Sequence, residues 1–96
     1  MEYNYFDAFS ITERFDDIVN TLKGFYFRLA YAESKKDVPD EDLIKEFNER
    51  RGILGLVGMK NQNELGENYT LDEKKKLLDE ALLPELRYLQ TKYPDV

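Results

Sequence analysis

The chain has 96 residues, 20 of them acidic and 14 basic, for a net charge of −6, and it contains neither cysteine nor histidine. That length builds one domain around a single modest core. The missing residue types exclude disulfides, thiolate nucleophiles, haem and iron–sulfur ligation, Ser-His-Asp catalysis and ordinary zinc sites. Carboxylates, Lys, Tyr, Ser and Thr remain as reactive groups, and no cofactor is expected.

A hydrophobic content of 42% with 35% charged residues describes a folded chain rather than a disordered one. No stretch approaches the roughly 18 consecutive apolar residues of a membrane span. The start, MEYNYFDAF, lacks the basic opening and apolar centre of a signal peptide, so a cytoplasmic location is expected. The acidity is evenly spread: seven acids against five bases in 1–38, five against three in 39–52, and eight against six in 53–96. Without a basic patch, direct nucleic-acid binding is disfavoured.

Residues 1–9 hold Tyr3, Tyr5, Phe6 and Phe9 and read as an aromatic N-terminal arm. Ser10-Ile11-Thr12-Glu13 then has the spacing of a capping box. The apolar positions Ile11, Phe15, Ile18, Leu22, Phe25, Leu29 and Ala32 follow in alternating steps of four and three, which predicts a helix over 11–34. Val19 and Tyr26 widen that stripe. Pro39 suits the first turn of a second helix, with Asp40, Glu41 and Asp42 favoured at its positive end. Leu43, Ile44 and Phe47 form its apolar face, and Gly52 is placed to cap it after Arg50 and Arg51, giving a helix over 39–51. Thr70-Leu71-Asp72-Glu73 is a second capping box, opening a helix to about residue 92 with a kink near Pro84. The fold class is therefore all-α: a small bundle of three main helices (11–34, 39–51, 71–92) in a single domain 1–96, with room for short extra helices at 2–9 and 53–59.

The segment between the second and third helices is the least ordinary. Gly52, Gly55 and Gly58 recur at every third position, enclosing Ile53, Leu54, Leu56 and Val57. It lacks the Lys-Ser or Lys-Thr of a phosphate-binding loop and the flanking strand of a dinucleotide site. Asn61, Asn63, Gly66 and Asp72 fall in a calcium-loop frame that lacks half its ligands. The first reading of 52–58 is a tight crossover, where glycines let another backbone approach closely. The functional reading is an apolar lip, Ile53, Leu54, Leu56 and Val57, that meets a partner.

A second surface emerges on the first helix. Phe27 and Tyr31 lie about 200–240° around the helix from Phe25, with Gly24 on the same side. A mid-helix glycine costs up to ~1 kcal/mol relative to alanine, which suggests a packing reason. The body that approaches this face could be the aromatic N-terminal arm, a second copy of the chain, or another protein.

The leading expectation is thus a non-enzymatic protein-interaction module that binds, and inhibits or regulates, a protein partner. It would anchor on Gly24, Phe27 and Tyr31 or on the 53–57 lip. Small immunity proteins, antitoxins and phage-encoded inhibitors share this physique, an analogy of size and charge only. One alternative is a homo-oligomer, a dimer being the commonest kind, holding a small anionic ligand between helices on Arg50 and Arg51. A second is a carboxylate-metal hydrolase built on Glu13 with Asp16 and Glu46 with Glu49, pairs spaced i,i+3.

Overall fold

The computed structural model describes residues 4–61 and 68–96. α1 spans Tyr5–Ser34 and α2 spans Glu41–Asn61. A third arm is helical throughout: α3 (Leu71–Leu77), a π-helical turn (Leu78–Leu82) and α4 (Leu83–Lys92). No strand occurs among the described residues. Tyr3, Asn63 and Gly66 lie outside them.

α1 starts earlier than its sequence suggests. Asn4 is the N-cap, its side-chain oxygen accepting from the Asp7 N–H at 2.8 Å. Ser10 is therefore inside the helix, and residues 5–9 are its first turns rather than a separate arm. Nothing between Asn4 and Ser10 breaks a helix, so continuing it satisfies backbone groups that a bend would leave to water. α2 is also longer than expected. Asp40 caps it, accepting from the Leu43 N–H at 3.1 Å, and Pro39 stands just before the cap. Gly52 does not end the helix: no described glycine has positive φ, and α2 runs ten residues beyond Arg51, to Asn61. Helical geometry over 53–59 is thus present as part of α2. In the third arm the Thr70–Glu73 capping box forms in both directions. The expected kink is a π turn in which the Leu83 N–H donates to the Leu78 carbonyl. The wider turn relieves the clash that Pro84 would impose on the carbonyl four residues back.

The three arms run up, down and up. Numbers on α1 rise as those on α2 fall: Val19 lies by Gly58, Tyr26 by Phe47 and Phe27 by Arg51. The third arm runs parallel to α1, from Thr12 with Lys74 to Tyr26 with Glu85. α1 is the hub. It packs on both neighbours, whereas α2 and α4 meet only through side chains. Phe15, Val19, Leu22 and Leu54 are the most deeply buried side chains, each worth about 1.5–3 kcal/mol on removal from water. Phe47, Leu78, Leu82, Leu86 and Leu89 close the core from the flanks. On α1 the buried alanine is Ala30, not Ala32. The turn between α1 and α2 is held by buried Glu33, which accepts from the Asp40 N–H at 3.1 Å and pairs with Lys36 at 2.7 Å. Those bonds, Lys36 first, hold its carboxyl below the ordinary carboxylate range.

Candidate protein-interaction surface

The side of α1 turned away from the core carries Phe27 and Tyr31 in stacked contact, their ring centroids 6.4 Å apart. They are 52% and 57% exposed, so about half of each ring stays in water inside a folded domain. A cation caps each end of the pair. The Arg51 guanidinium lies 5.0 Å over Phe27, and the Lys35 ammonium 5.0 Å over Tyr31. Arg51 is further braced by donating to the Asn48 side-chain oxygen at 3.1 Å. The four groups make an ordered cation–ring–ring–cation row built from α1, its C-cap and α2.

Gly24 sits one turn before Phe27. A Cβ there would meet only the tip of Arg28, at 3.3 Å, so nothing in the domain's backbone requires glycine. Phe6 and Phe9 do not fold back over this region. Because they belong to α1, Phe9 lies some eighteen residues before Phe27 on a continuous helix and is itself 55% exposed.

The proposed lip divides. Leu54 is core, 1% exposed, and out of a partner's reach; Val57 is half-buried against the same core. Ile53 and Leu56 are outward, 50% and 66% exposed, with Met59 beside them at 70%. The tight-crossover reading is corrected as well. A Cβ at Gly52 or Gly55 would touch nothing within 4 Å, and only Gly58 faces a neighbour, Val19 at an ordinary 3.5 Å.

Arg50 and Arg51 do not converge on a ligand. Arg50 forms a two-pronged ion pair with Glu85 of α4, Nε to Oε1 at 2.5 Å and Nη2 to Oε2 at 2.8 Å. The Tyr26 hydroxyl donates to the same carboxylate at 3.1 Å. Burial, then the Glu85 charge, pushes the Tyr26 hydroxyl up to about 12. This cluster borders an open groove of about 340 Å³ between α2 and α4, lined also by Leu43, Phe47, Ile53, Tyr88 and Tyr93. Glu46, Glu49 and Lys92 line it as well, and the Arg50 charge is already paired with Glu85. At the other end of the molecule, Lys74 is buried and donates to the Thr12 hydroxyl at 3.3 Å. Burial lowers its pKa against the opposing pull of Asp16.

The carboxylate pairs also lie apart. Glu13 and Asp16 line a hollow with Lys74, whereas Glu46 and Glu49 line the groove with Tyr26, at least ten residues or about 15 Å further along α1. Among the described residues no group of three or more acidic side chains is placed to hold a metal ion. No helix among them is long and apolar enough to cross a membrane. No family model, curated protein or solved structure matches the chain.

Helical angle alone located Gly24, Phe27 and Tyr31. The flanking cations were less legible: Lys35 is four residues from Tyr31 and could have been paired with it. Arg51 reaches the row only because α2 folds back antiparallel to α1.

Proposed function

We propose that the protein is a non-enzymatic interaction module that binds a protein partner through the outer face of α1 and acts by occupying it. The observation that carries this reading is the half-exposed Phe27–Tyr31 stack held between Arg51 and Lys35. Aromatic and arginine side chains are the commonest anchors of protein interfaces. Cations already seated on the rings fix their rotamers, so less side-chain freedom is lost on binding. Gly24 leaves the neighbouring backbone open to close approach.

The test is native mass spectrometry of the protein purified gently from its own cells, as wild type and as Phe27→Ala with Tyr31→Ala. The expected result is a second polypeptide, of the same or another sequence, on the wild type and none on the variant, with unchanged helical circular dichroism. A variant that keeps the partner, or a wild type that carries none, overturns the reading. The anionic-ligand and carboxylate-metal alternatives have less support, given the Arg50–Glu85 pair and the separated carboxylates.

A further inference from the structure

α1 is electrically polar along its length. Residues 5–17 carry four carboxylates against Arg14 alone, whereas the rest of α1 carries Lys23 and Arg28 against Glu33, with Lys35 at its C-cap and Lys36 just beyond. The helix dipole does not account for this, because it favours acids in the first turn and bases in the last. Glu13, Asp17, Lys23 and Arg28 are all further in. Glu13, Asp17 and Arg28 are exposed and Lys23 half-exposed, and none of the four forms an ion pair among the described residues.

The outer face also repeats in sevens, with Glu13, Asn20 and Phe27 in one row and Asp17, Gly24 and Tyr31 in the next. A partner of uniform charge would be attracted by one half of this face and repelled by the other. A parallel copy would set acid on acid. An antiparallel copy satisfies both halves at once, which is the self-complementarity a twofold interface needs.

We propose that the occupant of this face is a second copy of the chain, packed antiparallel about a twofold axis near Asn20; this rests on reading the outer face of α1 as the docking surface. In that register Asp17 is level with Lys23 of the partner subunit, and Glu13 is within one residue of Arg28 of the partner subunit. Phe9, exposed at the acidic end, comes level with Tyr31 of the partner subunit. Gly24 lies one turn from the axis on each chain, where the absence of a side chain lets the two backbones come together. Asn20 on the axis sets the register, as a polar residue in an interhelical seam does. The contact from Phe9 to Tyr31 is about 33 Å long.

Sedimentation velocity across the micromolar range tests the pairing. The wild type dimerises, and more weakly as salt rises. Glu13→Lys with Asp17→Lys, or Lys23→Glu with Arg28→Glu, raises the dimer Kd by on the order of a hundredfold, because like charges then face each other. An equal mixture of the two variants recovers the dimer. A wild type that is monomeric throughout, or variants that still dimerise, overturns the proposal. If the wild type is monomeric yet Phe27→Ala with Tyr31→Ala still strips a different polypeptide, the self-pairing fails and the docking face stands. If that double variant changes neither, both readings fail.

The chain has no cysteine, so engineered thiols report orientation cleanly. Under mild oxidation, Asn20→Cys cross-links chain to chain. Arg28→Cys does not, since two such residues lie sixteen positions apart, about 24 Å. Cross-linking at both sites, or at neither, overturns the antiparallel arrangement.

Discussion

The inner and outer sides of α1 share a helix, a spacing and a liking for aromatic residues, yet their environments differ completely. Phe15, Leu22 and Phe25 on the inner side are at most 5% exposed, while Phe27 and Tyr31 on the outer side are more than half exposed. The inner rings are covered by α2 and the third arm; the outer rings are met by each other and by two cations. Periodicity therefore identifies a face that can be buried. Whether the same chain buries it depends on how many arms the fold has available. With three arms, and α1 between the other two, one side of the hub is left over.

The largest effect that separates the two sides is on stability. Leu22→Ala should cost about 3–4 kcal/mol in urea unfolding, because a fully buried side chain leaves a cavity. Phe27→Ala should stay within about 0.5 kcal/mol when measured on the monomer. A comparable loss at Phe27 would mean the outer face is structural.

The Arg50–Glu85–Tyr26 cluster, which ties α2 to α4, comes next. Arg50→Ala should cost about 2 kcal/mol, because Glu85, 16% exposed, loses its charged partner; the figure is reduced for the 38% exposure of Arg50. Replacing both by methionine should cost less than Arg50→Ala alone, since no buried charge is then stranded. If the double variant is the weaker of the two, the pair contributes more than satisfaction of Glu85.

A smaller effect appears with pH. The Tyr26 hydroxyl is raised from 10.0 to about 12, so the folded protein keeps a proton that the unfolded chain releases. Its contribution is complete below pH 10 and is lost as pH climbs from 10 to 12. Tyr26→Phe should flatten that part of the stability profile by of order 1 kcal/mol relative to wild type. An identical profile in both proteins would remove the burial argument for this hydroxyl.

The smallest changes concern the glycines of α2. Gly52→Ala and Gly55→Ala should each stabilise by about 0.5–1 kcal/mol, since both residues are mid-helix and the new methyl meets nothing within 4 Å. A helix-capping glycine would give the opposite sign, because alanine resists positive φ. Thermal melts of the two variants decide between these geometries.

Much of the fold was legible because its signals are local. Steps of three and four marked the apolar stripe of α1, and Thr70 with Glu73 marked the start of the third arm, where the capping bonds form as expected. Glycine misled. Gly52 after two arginines resembles a helix end, yet α2 continues because Leu54 docks into the core and rewards two and a half further turns. Ser10 misled for a related reason, since an equally good cap at Asn4 gains six more helical residues. The charge polarity of α1 and its C-cap was present in the sequence, but counting residues 1–38 together averages the −3 of residues 5–17 with the +3 of residues 18–36 and hides both.

By itself, the sequence determined an all-α bundle, that Phe15, Leu22, Phe25 and Leu29 of α1 face inward, where the third arm begins, and that Gly24, Phe27 and Tyr31 share an outward side. These follow from contacts between residues a few positions apart. Only the tertiary structure decided that Leu54 is core, that Arg50 belongs to Glu85 thirty-five residues away, and that Arg51 joins Phe27. Those pairings depend on how whole helices pack side by side, and no local spacing encodes which side chains then come within reach.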